Sequence, residues 1–349
     1  MGAGMFHGDI GKDIAQGLLE LNEKCIKPAK IPPSELDQTL NIATWNIREF
    51  GKKGRLDASI HYIAEIIGQF DLVALVEVRD KVDDLRRLLP ILGPYWRVIY
   101  SDYMDDSGGN LERIAYVYDQ RAAAFTGFVG NAEERRKKSG VEWLPESSWW
   151  RKPYMCSFAA GNFDFILMTL HVRWGETEKG RIPEMKMVAD WVDRRSNEPG
   201  AIDKDIIVMG DFNIPKIGDD LYKALTYKGL FLPDALAADK IPGTNVSGLD
   251  KRYDQILYLP QFTKSIREFG GTVNFTKCDR NVLYPNGMLG KRDFTYEMSD
   301  HLPLWIQIDT DTDLEQLDQV LRPKKYQQED RPRGGVRNLA TRRNGRLNT

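Results

Sequence analysis

The feature that most constrains this 349-residue chain is a series of short apolar runs separated by few helical patterns. Runs of four to eight apolar residues rich in Val, Ile, Leu and aromatics read as buried strands. They occur at 40–46, 71–77, 96–100, 113–118, 154–159, 163–170, 205–210, 254–259 and 303–308. Amphipathic segments with helical spacing occur at 57–69 (Ile60, Ile63, Ala64, Ile67), 81–90, 181–195 and 219–228. Several strands follow one another with no helix between them, which argues for mixed sheets and against a doubly wound parallel sheet. No Pro/Gly-rich linker interrupts residues 40–310, so one domain is expected there. Before it, 1–39 reads as a helix (9–25) followed by a Pro-containing linker, and after it 311–349 reads as a basic, disordered tail.

Composition matters at three points. The formal net charge is -2, but from Arg322 onward nine basic residues face two acidic ones, leaving the remainder distinctly acidic. Such a tail suits a nucleic-acid tether or a solubilising end. Three widely spaced cysteines, Cys25, Cys156 and Cys278, form neither a disulfide framework nor a zinc spacing, and suit a reducing compartment. No secretory signal pattern opens the chain and no apolar stretch is long enough to span a membrane, so a cytoplasmic location is expected.

The ends of the apolar runs carry chemistry. LNIATWN ends on Asn46, DLVALVE on Glu77, FDFILMTLH on His171, and DIIVMGDFN on Asp211 and Asn213. YDQILY begins with Asp254, and SDHLPLW sets Asp300 and His301 before a strand. Each has an ordinary reading as a turn, cap or core residue. All of them together, at successive strand ends, point to one crevice lined by rigid elements. His7 and His61, the other two histidines, are assigned to the surface or to packing.

Hard oxygen donors from Glu77, Asp211 and Asp300, with the carboxamides of Asn46 and Asn213, suit Mg²⁺, with Mn²⁺ as the alternative, rather than a closed zinc cage. A histidine held by a carboxylate moves protons near neutral pH, and Glu112 and Asp254 are the acids available to His171 and His301. Arg151, in WWRKPY, suits a phosphate oxyanion. The set describes metal-assisted hydrolysis of a phosphate ester.

In this order the motifs resemble the endonuclease/exonuclease/phosphatase superfamily, from about Leu40 to Asp309. TWNIR, LVALVEV, GDFN, YDQILY and SDHLPL resemble successive family motifs; TLHVRWG and WWRKPY resemble the deoxyribonuclease I branch. The resemblance implies an α/β (α+β) four-layer sandwich of two packed mixed β-sheets flanked by helices. It implies Glu77, Asn46 and Asp300 at the metal, and Arg151 and Asn46 at the phosphate. His171, His301, Asp211, Asn213, Glu112 and Asp254 are then the catalytic set. A histidine at 171 counts against the abasic-site repair branch, which carries a tyrosine motif there. KRYDQ, where the inositol-phosphatase branch carries W-C-D-R, counts against phosphoinositides.

The expected activity is a metal-dependent endonuclease with DNA as substrate. A phosphatase or phosphodiesterase for small or lipid phosphates is the alternative, and a noncatalytic binding module the third reading. The stretch 121–149 mixes Arg135, Arg136, Lys137 and Lys138 with Trp143 and Trp149, beside Trp150. It reads either as a nucleic-acid contact or as a solvated helix with its tryptophans on the core.

Overall fold

In the computed structural model, residues 5–104, 110–175, 177–237, 239–287 and 289–313, with Leu317 and Leu321, are described. The basic tail 322–349 lies outside the described residues. Met1–Asp311 forms one compact unit.

Thirteen strands are present among the described residues: β1 (Thr39–Phe50), β2 (Leu72–Arg79), β3 (Trp96–Tyr100), β4 (Glu112–Asp119), β5 (Ala124–Asn131), β6 (Arg136–Ser139), β7 (Glu142–Pro145), β8 (Tyr154–Ala160), β9 (Phe163–His171), β10 (Ile206–Asp211), β11 (Asp254–Tyr258), β12 (Ile266–Thr272) and β13 (Leu304–Asp309). One sheet has the order β12-β13-β1-β2-β4-β3, and the other β11-β10-β9-β8-β5. Only β1–β2 and β9–β10 pair in parallel; every other neighbouring pair is antiparallel. Both sheets are therefore mixed.

Strand periodicity explains the layering. Side chains alternate between faces, and here both faces are apolar. Leu40, Ile42, Leu72, Ala74 and Tyr116 of the first sheet meet Phe158, Phe165, Leu167, Ile207 and Met209 of the second in one buried cluster. The intervening residues Ala43, Trp45, Ile47, Val73 and Leu75 face outward onto the helices Lys12–Leu21, Asp57–Ile67 and Asp83–Leu92. Ile166, Met168, Ile206 and Val208 face the helices Ile182–Asn197 and Asp220–Thr226. The result is helix, sheet, sheet, helix: the four-layer sandwich. Each fully buried Leu, Ile or Phe contributes about 1.5–3 kcal/mol, so double-sided burial of the central strands is the main source of stability.

Four strands have no counterpart among the apolar runs. β5 and β12 lie at sheet edges, β5 largely exposed and β12 mostly half-buried, so neither carries a continuous apolar run. β6 and β7 pair with each other in an exposed hairpin. The stretch 136–145 is thus a hairpin and not a helix; Trp149 packs on the core while Trp143 and Trp150 are exposed.

The N-terminal helix is shorter than expected and continues through a wide turn at Asn22–Ile26. Its Gly17 lies so close to Tyr62 that any Cβ would collide with that ring. The proline segment after it is pinned, with Asn41 Nδ2 donating to Pro32 O at 2.8 Å and Gln307 Nε2 to Pro33 O at 3.3 Å. Cys25 and Cys278 are joined as a disulfide across a separation of 253 residues, and Cys156 is free and buried. This corrects the reading of three unpaired thiols: the helix N-terminal to the sheets folds back onto the segment that precedes β13, bringing together residues no spacing rule connects. No helix among the described residues is long and apolar enough to cross a membrane.

Candidate active site

The same alternation that builds the inter-sheet core carries the polar residues to its rim. On β1, Leu40 and Ile42 face the second sheet, and Asn46 continues that parity. On β9, Phe165 and Leu167 lead to His171; on β10, Ile207 and Met209 lead to Asp211. Glu112 opens β4 on the face of Tyr116, and Asp254 opens β11 on the face of Ile256. Since β4 and β11 run antiparallel to β2 and β10, their first residues lie at the same end as the others' last.

Glu77 reaches this rim differently. Alternation from Val73 and Leu75 would put it on the helix face. The β2–β4 register shifts between Leu75 and Val78, and Glu77 adopts φ +62°. A bulge of this kind re-aims one side chain. β1 shifts likewise between Asn46 and Phe50, where Arg48 and Glu49 have positive φ, and Asn213 lies at φ +52°. Non-glycine residues held in this region cost of order 1–3 kcal/mol each and cluster at functional sites.

The converging contacts are specific. Asn46 Nδ2 donates to Glu77 Oε1 and to Asp211 Oδ2, both at 3.0 Å. The Glu49 N–H donates to Glu77 Oε2 at 2.9 Å, so the bulge in β1 secures the carboxylate aimed by the bulge in β2. Glu112 Oε2 lies 2.7 Å from His171 Nδ1, and Asp254 Oδ2 lies 2.7 Å from His301 Nδ1. Both rings thereby turn Nε2 to one point: Asp211 Oδ2 lies 3.8 Å from His171 Nε2 and 3.9 Å from His301 Nε2. Glu77 Oε1 is 3.9 Å from His171 Nε2. The Asn213 N–H donates to Asp211 Oδ1 at 2.8 Å, and its Nδ2 to Val172 O at 2.7 Å.

Arg151 and Asp300 sit at the edge of this group. Arg151 donates to His171 O at 3.3 Å and pairs with Glu112 at 3.5 Å. Asp300 pairs with Arg48 Nε at 3.7 Å.

Electrostatics follow from burial among carboxylates. Burial alone would lower His301, but Asp254, Asp211 and Asp300 outweigh it and raise it to about 10. His171 is likewise raised, Glu112 overcoming burial. Glu112 itself is held well below the usual range; burial opposes this, and His171 and Arg151 prevail. Burial raises Asp211, with Asp254 adding to it, and raises Asp300, with Glu77 adding to it. Among the described residues, two groups have ligand atoms close enough to hold a metal: Glu77–Glu112–His171 and Asp211–Asp254–His301. Asp211 and Asp300, pushed toward protonation by burial and neighbouring carboxylates, are donors a divalent cation would relieve.

Three supporting residues escaped the sequence reading. Trp45 Nε1 donates to His301 O at 2.8 Å. Ser299 Oγ donates to Asn46 O at 2.6 Å and accepts from the His301 N–H at 3.0 Å. Both tie the SDH loop to β1, and Ser299 was legible only as part of that motif. Arg181 is buried at the start of its helix, within the field of Asp211 and Tyr253. Its Nε and Nη1 have no hydrogen-bond partner. A lone arginine in a helical pattern gives no signal of this kind.

The endonuclease/exonuclease/phosphatase family model matches residues 43–280. The chain belongs to that family. Solved structures of similar fold include a conserved protein of unknown function from Enterococcus faecalis V583 (17% identity, 76% of this chain and 98% of that one, TM-score 0.52). The human nocturnin catalytic domain with bound sulfate is similar at 17% identity (79% and 95%, TM-score 0.51). So is a mannosyl-6-phosphatase from Bacteroides thetaiotaomicron, at 20% identity (76% and 98%, TM-score 0.50). No curated protein matches the sequence. Family membership places this chain among hydrolases of phosphate esters. The matched segment stops before Asp300 and His301, which the β1–β13 pairing brings beside Asn46 and Asp211.

Proposed function

We propose that the protein is a metal-dependent nuclease, an endonuclease that hydrolyses DNA phosphodiesters. The observation that carries the reading is the pair of carboxylate-held histidines whose Nε2 atoms converge on Asp211. A phosphodiester presents two bridging oxygens and one charged phosphoryl group. Two carboxylate-held imidazoles beside one carboxylate suit that shape.

Glu77, with Asn46 and Asp300, would hold Mg²⁺ (Mn²⁺ as the alternative), which when bound supplies charge neutralisation at the phosphoryl oxygens. Asp211, with Asn213 bracing it, orients the attacking water and accepts its proton. His301, fixed by Asp254, is cationic at neutral pH and faces the phosphoryl oxygens. His171, fixed by Glu112 and likewise raised, lies on the route of a proton to the leaving oxygen. Arg151 steadies a nonbridging oxygen from the rim. Nδ1 bonds to the acids fix the direction of both rings, so little reorganisation accompanies the reaction.

The mannosyl-6-phosphatase likeness favours a second reading, a phosphatase or phosphodiesterase for small phosphates. Salt separates the two, because a polyanion engaging several cations weakens steeply with ionic strength and a single phosphate does not. The primary test is incubation with supercoiled plasmid and Mg²⁺ beside an EDTA control and the His301→Ala protein. Nicked and linear products absent from both controls are expected. An intact plasmid, with no single-stranded oligonucleotide cut and small phosphate esters hydrolysed instead, would overturn the nuclease reading.

A further inference from the structure

An exposed aromatic wall adjoins each histidine of the pair, and the catalytic residues account for neither. The first borders a cavity of about 420 Å³ that opens beside His171. Tyr103 and Trp150 line it, with Arg113, Ile114 and Arg151. Trp150 is 54% exposed and Tyr103 40%. A guanidinium backs each ring: Arg173 lies 4.4 Å from the Trp150 centroid, and Arg113 lies 5.0 Å from that of Tyr103.

The second wall adjoins His301. Tyr253 lies 5.9 Å from the His301 ring, and Trp174 meets Tyr253 edge-on at 5.4 Å. Trp174 is 58% exposed and is backed by Arg181 at 5.3 Å. Isolated exposed aromatics are ordinary. Here each of two tryptophans is exposed, arginine-backed and adjacent to a different member of one catalytic pair.

Flat π-faces beside guanidinium groups are what unpaired bases stack on, because every base has a π-face and its phosphate needs a cation. The first cavity also falls within the size range of pockets that enclose small organic molecules. A duplex buries its base faces in its own stack and offers nothing to these rings.

Resting on the nuclease reading, we infer that Trp150 with Tyr103, and Trp174 with Tyr253, are two nucleotide subsites, one on each side of the scissile phosphate. The enzyme therefore engages an unpaired strand at an internal bond. A terminal or small phosphate fills at most one wall and is the poorer substrate.

The test compares wild type, Trp150→Ala and Trp174→Ala, each checked by thermal melting, with Mg²⁺ present. The substrates are a fluorescein-labelled single-stranded thymidine oligomer, its duplex form, an oligomer of the same length built of abasic tetrahydrofuran units, and bis(p-nitrophenyl) phosphate as a small diester. Base stacking supports roughly tenfold to hundredfold per site. Each variant is expected to lose about tenfold or more in selectivity for the thymidine oligomer over the abasic one, mainly through KM, and the thymidine oligomer is expected to outcompete the duplex. Cleavage of the thymidine oligomer with selectivity unchanged in both variants would overturn the subsites and leave the nuclease reading standing. Equal loss on both oligomers would also overturn them, by assigning the tryptophans a structural role. Hydrolysis of bis(p-nitrophenyl) phosphate without cleavage of any oligomer by wild type would overturn the nuclease reading, and the subsites with it.

Discussion

Asp254→Asn is the substitution that most directly tests how the site works. Asp254 is 1% exposed and sits 2.7 Å from His301 Nδ1, while its other oxygen, Oδ1, is buried without a hydrogen-bond partner. Asparagine keeps its shape, so the fold should survive. Two things change. The negative charge that holds His301 protonated is lost, and burial, which lowers His301, then acts against a weaker opposition. The carboxamide can also present N–H to Nδ1, moving the ring proton to Nε2 and reversing the tautomer. An imidazolium and a carboxylate with charge centres ~4 Å apart attract by about 4 kcal/mol at an effective dielectric of 20. At about 1.4 kcal/mol per decade that is roughly a thousandfold, inside the 10²–10⁴ range for one general acid or base. The assay is kcat across pH 5–10 on the best diester substrate, with thermal melting as the folding check. The loss should be largest above neutral pH, where wild-type His301 is still protonated and the variant ring is not. A kcat within about threefold of wild type at every pH would refute the claim that Asp254 sets the state of His301.

Other consequences are equally direct. Glu77→Gln should abolish most Mg²⁺-stimulated activity, by roughly two orders of magnitude or more, and raise the metal concentration needed for half-maximal rate; an unchanged metal titration would remove Glu77 from the metal. Gly210 has φ +130°, and a Cβ there would meet the Leu170 carbonyl, so Gly210→Ala should lower both Tm and activity by displacing Asp211; a Tm within a degree of wild type would contradict this close approach. Titration of the unfolded, unreduced protein with a thiol reagent should count one free thiol, Cys156, and three after reduction; three without reduction would deny the Cys25–Cys278 link. Burial pushes Asp71 up to about 6, against hydrogen bonds from the Asn41 N–H and Ser34 Oγ. A carboxyl raised in the folded state favours the fold when protonated, and that contribution is lost as pH rises through about 6. Asp71→Asn should therefore gain Tm over wild type at pH 8 but not at pH 4; equal differences at the two pH values would refute the assignment.

The sequence by itself determined the layers and the membership of the site. Central strands buried on both faces must be apolar throughout, so all seven of them are visible as runs, and the edge strands β3 and β11 show runs as well. Asn46, His171, Asp211 and Asp254 stand at the ends of those runs because polar groups cannot continue into the core without partners. What lacked such a signature was decided elsewhere. The edge strands β5 and β12 are held by hydrogen bonds to neighbours rather than by burial, and the hairpin β6–β7 is held by its own pairing.

Only the tertiary structure could turn Glu77 inward, since a bulge depends on the partner strand's register and not on Glu77's own neighbours. The pairing of Glu112 with His171 and of Asp254 with His301 was legible in the sequence, but the 2.7 Å contacts across 59 and 47 residues come from the packing. Tertiary structure alone could close Cys25 onto Cys278 and bring Trp150 and Trp174 near the paired histidines. Local pattern reports how a residue meets its own strand or helix. Which distant residues share a crevice depends on sheet order, and sheet order is written in the packing of whole elements.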